Sequence, residues 1–319
     1  MPGPAGSKAL PRPAFDQLPL DKEGPPGNAW GLFGRDDELG MLNLITPESV
    51  LQASKDIRHG IRVSTDLPLD RFQPPINNRG PFHHEIRSKT PRPSNDDVLT
   101  FNTQSASQWD GFRHYGYQEQ KLYYNGRKQD HILQTTENGI HVWADAGGIV
   151  GRGILLDHRA WAETQGLPQD PFSTSPIPLS ELLAVADQQK TIFQPGDILF
   201  VRTGYMKAYS ALSAAEAQEL ATLVSPPSIG LEPSEDILRW IWESGFVAVA
   251  GDNPAFEAWP CRDKRYWLHE WLLAGWGLPI GELFDLEKLA IECRKARKWT
   301  FFFTSVPLKV RGPYLQFMT

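Results

Sequence analysis

"PSEDILRWIWESGFVAVAGD" occupies residues 233–252. Its first part predicts an amphipathic helix over 233–245, with Ser234 as N-cap and Gly245 as the stop. Its second part, "FVAVAGD" (246–252), is apolar without alternation, so it reads as a strand buried on both faces. A continuous apolar strand following directly on an amphipathic helix points to an α/β domain and away from an all-β sandwich.

The same pairing recurs on either side. "PLSELLAVADQQ" (178–189) predicts a helix capped by Ser180, and "GDILFVRTG" (196–204) a buried strand between glycines. "GGIVGRGILLD" (147–157) and "WTFFFTSVPLKV" (299–310) read as further strands. "SAAEAQELATL" (213–223), "YWLHEWLLAGWG" (266–277) and "LEKLAIECRKAR" (286–297) read as helices. Nearer the start, "TPESVLQASKDIRHG" (46–60) predicts a helix with Thr46 as N-cap, Pro47 in the first turn and Gly60 closing it. "IRVSTDLPL" (61–69) alternates as a strand should, and 73–98 reads as a polar, Pro-rich excursion. There is no internal repeat and no linker after residue 30. The expected organisation is a Pro/Gly-rich segment over 1–27 and a single domain over 28–319.

Composition narrows the function. The chain has 319 residues, 40% of them apolar, which is enough for a substantial core. A net charge of −6 and no basic stripe exclude a nucleic-acid binder. The two cysteines, Cys261 and Cys293, form no CxxC pair and read as reduced thiols. There is no apolar leader-like region and no apolar run of about 18 residues, so the expectation is a cytoplasmic protein that does not span a membrane. Three common enzyme signatures fail. "HEWLL" at His269 has Leu273 where a zinc-protease helix needs its second histidine, and neither G-x-S-x-G nor G-x-G-x-x-G occurs.

One polar stretch stands out: "FNTQSASQWDGFRHYGY" (101–117). Asp110 and His114 are ligand types for a divalent metal, and a second pair, His269 and Glu282, follows far downstream. A reversal of the chain at Gly275–Gly277 would bring the two pairs together; otherwise each residue is satisfied separately. Trp109, Arg113 and Tyr117 lie in or beside the stretch and are candidates to meet substrate. The chain has 11 tryptophans, and Trp259, Trp267, Trp271 and Trp276 surround His269 in sequence, so some of them can line an aromatic pocket.

These stretches resemble the cyclase family, which includes kynurenine formamidases and isatin hydrolases. The family pattern is His-x-Gly-Thr-His-x-Asp-x-Pro-x-His, and "QSASQWDGFRH" stands in the same register. "WGLFGRDDELGMLNLIT" (30–46), "GIHVWADAGGIVGRGILLD" (139–157), "GDILFVRTG" and "LHEWLLAGWGLPIGELFDLEKLA" (268–290) resemble a large-cyclase branch of it. The resemblance implies a swivelling β/β/α fold with a mixed sheet and flanking helices. It also implies a homodimer or larger assembly and a small-molecule substrate. It places the metal-binding positions at Gln104, Gln108, Asp110, His269 and Glu282, and the proton-transferring histidine at His114. Gln104 and Gln108 replace two family histidines. An amide oxygen is a weak, hard ligand, so the expectation is at most one divalent metal, manganese or zinc, or none. The implied activity is hydrolysis of a cyclic or N-acyl amide, lactam or lactone by metal-activated water. His114 would act as base and acid, with Gln108 donating to the oxyanion. The alternatives are a metal-free cyclase or dehydratase and a non-catalytic binding protein.

Overall fold

The computed structural model describes residues 12–310; the first eleven residues of the Pro/Gly-rich segment and the last nine of the chain lie outside the described residues. Among the described residues ten strands form: β1 His83–Ser88, β2 Asn95–Thr100, β3 Gln108–Asp110, β4 Ile149–Leu156, β5 Pro176–Ile177, β6 Ile198–Val201, β7 Gly230–Leu231, β8 Ala248–Gly251, β9 Ile280–Glu282 and β10 Thr300–Ser305. Six of them make one mixed sheet in the order β10-β4-β6-β8-β9-β3. The four central strands run parallel, and β10 and β3 close the edges antiparallel.

The physical cause is the pattern in the sequence. β6 and β8 are buried at every position, so they need apolar cover on both faces. Helices Leu179–Gln189 and Glu235–Ser244 lie between successive parallel strands in the chain and contribute Leu182, Val185, Ile237, Ile241 and Trp242 to the core. Ser234 caps the second of these by accepting from the Ile237 N–H, and Gly245 ends it at φ 79°.

Four local readings differ from the structure. The helix that opens at Thr46 ends at Ser54, well short of Gly60. Residues 61–69 join no ladder, and a turn begins at Leu69: the Thr65 carbonyl accepts from the Asp285 N–H and the Leu67 N–H donates to Ser107 Oγ, so alternation is present without a partner strand. Ser180 lies inside its helix, because Pro178 occupies the cap position. Within 73–98 the chain begins an antiparallel hairpin of β1 and β2. Nearly every residue of that hairpin is exposed, so it carries no apolar period to read.

Candidate active site

The site forms at the carboxyl end of β9, where open α/β sheets leave a crevice. β3 pairs with β9 so that Gln108 faces Glu282 and Asp110 faces Ile280. Side chains alternate along a strand, so Gln108 and Asp110 share one face and Trp109 takes the other. His269 arrives from the opposite side. It immediately precedes a π-helical turn, Glu270–Trp276, which Gly277 ends at φ 63°, and the chain then returns through β9 to Glu282. A second close approach supports this reversal: Gly40 packs on Gly277, where a Cβ would sit 1.9 Å from the carbonyl oxygen.

Asp110, Glu282, Gln108, Gln104 and His269 are all buried. Gln104 Nε2 donates to Asp110 Oδ1 at 2.6 Å, and Gln108 Nε2 donates to Glu282 Oε2 at 2.8 Å and to Gln104 Oε1 at 3.2 Å. Each amide thus binds one oxygen of a carboxylate and leaves the other for the histidines. Asp110 Oδ2 lies 3.7 Å from His269 Nε2 and 3.8 Å from His114 Nε2, and Glu282 Oε1 lies 3.1 Å from His269 Nε2. Behind His269, both oxygens of the fully buried Glu257 stand 2.8 Å from Nδ1.

The charges follow from this packing. Burial alone would lower the pKa of His269, but the charge of Glu257, the nearby Asp110 carboxylate and the contacts to Glu257 and Glu282 hold it well above its ordinary value. Burial lowers His114, and the charge on His269 adds to that against the pull of Asp110, which leaves a neutral imidazole. Burial also would raise Asp110, yet His114, His269 and Gln104 bring it below the usual carboxylate range. Glu282 is pushed up to about 7 by burial and by the neighbouring Asp110.

The donor set accommodates one cation. Asp110 Oδ2 is buried and accepts no hydrogen bond, and Asp110, His114 and His269 offer ligand atoms within 4.8 Å of one another. His269 donates Nδ1–H to Glu257, which is the orientation a metal-binding imidazole takes from a supporting carboxylate. His269 Nε2, Asp110 Oδ2 and Glu282 Oε1 repel one another unless a proton or a metal ion lies among them. The glutamines turn nitrogen toward the acids; Gln104 Oε1 accepts from Arg79 and Gln108, whereas Gln108 Oε1 is buried without a hydrogen bond. Both protons of the Gln108 amide are committed, so it has none left for an oxyanion.

A cavity of about 230 Å³ opens over this cluster, lined by Asn77, Arg79, His114, Tyr115, Val224, Ser225, Pro226, Pro254, Ala255, Trp259, His269 and Glu282. Trp259 therefore faces it, and the Trp267 ring lies tilted behind Tyr115, 5.4 Å between centroids. Trp271 packs on Phe15 and Trp276 is core. Trp109, Arg113 and Tyr117 are not brought to the cavity. Trp109 donates to Ser305 Oγ across the sheet, Arg113 binds the carbonyls of Glu137 and Thr135, and Tyr117 is buried and donates to the Pro26 carbonyl. Sequence reasoning missed Arg79, Tyr115 and Glu257, none of which stands at a motif spacing.

The model of the Cyclase family matches residues 50–258. The crystal structure of a novel cyclase is 29% identical, covers 90% of this chain and 94% of its own, and superposes with a TM-score of 0.77. Isatin hydrolase A from Labrenzia aggregata, bound to benzyl benzoate, shares the fold at 16% identity over 82% of this chain and 94% of its own, with a TM-score of 0.55. Isatin hydrolase A from Ralstonia solanacearum does so at 15% over 84% and 93%, with a TM-score of 0.53. No match was found among the curated proteins. Among the described residues no helix is long and apolar enough to cross a membrane. With its α/β fold, its acid–histidine cluster and a family match that spans most of the sheet, the chain belongs to the Cyclase family.

Proposed function

We propose that the protein is a hydrolase of an amide, lactam or ester bond in a small molecule, working with one divalent ion, manganese or zinc. The observation that carries this reading is Asp110 Oδ2, buried and without a hydrogen bond between two imidazole nitrogens beneath a cavity. Asp110, His269 and Glu282 would hold the ion, which when bound supplies the charge that polarises a carbonyl and acidifies a water. The fold shared with isatin hydrolases supports hydrolysis as the chemistry.

The chain's own groups account for the rest. His114 is the more exposed histidine of the cluster, its side chain 21% exposed against 6% for His269, and its lowered pKa keeps it neutral, so its Nε2 can take a proton from water. As the water oxygen bonds the carbonyl carbon, the C–N or C–O bond breaks and the same proton passes to the leaving nitrogen or oxygen. Tyr115 and Trp259 give the cavity its aromatic wall, and Gln104 and Gln108 hold the two carboxylates in place. A second reading, metal-free acid–base chemistry, is favoured by one observation: Glu282, pushed up to about 7, and His114 would serve as acid and base unaided. Elemental analysis of protein purified without chelator, with a screen of lactams, lactones and N-acyl amides, separates the two. Near one equivalent of metal and metal-dependent turnover support the first. Turnover that survives complete removal of metal moves the assignment to the second.

A further inference from the structure

Arg79 is the one guanidinium among the described residues that line the cavity. A tight turn brings it there. Ile76 is buried with Phe72, Tyr205 and Tyr209, Asn77 and Asn78 follow at φ 57° and 54°, and the Arg79 N–H meets the Ile76 carbonyl at 3.3 Å. Asparagine tolerates this left-handed region better than most residues, so the local sequence suits the turn. The guanidinium donates to the Gln104 carbonyl and to Gln104 Oε1. That uses two of its five N–H groups. Glu282 and Asp110 lie near enough to feel its charge, yet neither forms an ion pair with it. A half-buried guanidinium without an acid partner is costly, and its planar fork is shaped for a carboxylate.

We propose that Arg79 holds a carboxylate of the ligand, so that the cavity takes small monocarboxylic acids, their acid group either carried by the substrate or released by the hydrolysis. Only the source of the carboxylate rests on the hydrolase reading; its binding does not. Benzoate and the isosteric, neutral benzamide are the probes, titrated calorimetrically against the full chain as isolated and again in excess chelator. Benzoate should bind about tenfold or more tightly than benzamide under both conditions. Arg79→Gln should abolish that preference and Arg79→Lys should retain part of it. Equal binding of the two probes by the parent, or a preference that survives Arg79→Gln, overturns the proposal. A preference confined to the metal-loaded protein also overturns it, since the ion would then be the carboxylate's partner. Because Arg79 also braces Gln104, thermal melts accompany the variants; if Arg79→Gln does not fold, the parent comparison with and without chelator and Arg79→Lys decide. The source is read from kinetics. A substrate-borne carboxylate makes Arg79→Lys raise KM for N-acyl amino acids but not for N-acyl amines, whereas a released one weakens product inhibition by the acid and spares KM. No turnover on any substrate sinks the hydrolase reading and leaves the carboxylate site intact; turnover without a benzoate preference does the reverse.

Discussion

Glu257 is the residue whose removal tests the site most directly, because it touches His269 and lines no part of the cavity. Its two oxygens each stand 2.8 Å from Nδ1, and Oε1 also accepts the His269 backbone N–H at 3.3 Å. It therefore fixes which nitrogen carries the proton and points Nε2 at Asp110 and Glu282. A supporting carboxylate of this kind is worth about 10- to 100-fold in metal affinity, or about 1.4 to 2.7 kcal/mol. Glu257→Gln keeps one oxygen to accept from Nδ1 and loses only the charge, so it belongs near the lower limit, about tenfold. Glu257→Ala leaves two buried N–H groups without an acceptor, so it belongs near the upper limit and costs about 1–3 kcal/mol of stability as well. Competition with a chromophoric chelator gives the affinity, and the visible spectrum of cobalt-substituted protein reports the ligand geometry. Glu257→Gln binding manganese or zinc as tightly as the parent, with an unchanged cobalt spectrum, would refute the argument that His269 is a ligand oriented by Glu257.

Four further outcomes follow from the same structure. Asp110→Ala should lose its metal entirely by elemental analysis while keeping the fold; retained metal would remove Asp110 from the ligand set. His114→Ala should keep the metal and lose about 10²–10⁴ in kcat, and loss of the metal instead would make His114 a ligand. Burial raises Asp252 from 3.8 to about 6 despite its hydrogen bonds from Thr203 and Gly204. The folded state thus binds this proton more tightly than the unfolded one, and ionisation above pH 6 costs stability. The difference in unfolding free energy between parent and Asp252→Asn should shift by about 2 kcal/mol between pH 4 and pH 7, favouring the parent at the acid end; a difference independent of pH sinks the assignment. Gly40→Ala would place a Cβ 1.9 Å from the Gly277 carbonyl oxygen at φ 54°, so it should lower stability by about 3 kcal/mol or more, and an unchanged melting temperature would contradict the close packing.

The central sheet was legible because burial on both faces leaves an unmistakable trace: β6 and β8 are apolar at each step and bounded by glycine. Where structure rests on partners and not on periodicity, the sequence was silent or misleading. Residues 61–69 alternate like a strand, but whether an extended segment joins a ladder depends on what lies beside it, and here the neighbours offer only isolated hydrogen bonds. The β1–β2 hairpin has the opposite character, fully laddered yet exposed on both faces, so alternation had nothing to mark. In the site, Asp110, His114, His269 and Glu282 were reached as ligand types that a chain reversal could join, and the family resemblance supplied their implied roles. Arg79 and Glu257 stand outside that motif, and only the turn at Asn77–Asn78 and the packing of the loop before His269 bring them in.

The two glutamines and Trp109 show how a single structural fact reorders such a reading. Trp109 stands in sequence between Gln108 and Asp110, and that adjacency made it a candidate to meet substrate. Residues 108–110 are a strand, and the period of two sends Trp109 across the sheet to Phe284 and Phe303 while Gln108 and Asp110 stay together. On that strand Gln108 lies directly opposite Glu282, so its amide meets a carboxylate before it meets anything in the cavity. Gln104 does the same for Asp110. An amide nitrogen facing an acid donates to it. In this structure both glutamines brace the acids, and the nitrogen donors grouped with Asp110 are His114 and His269.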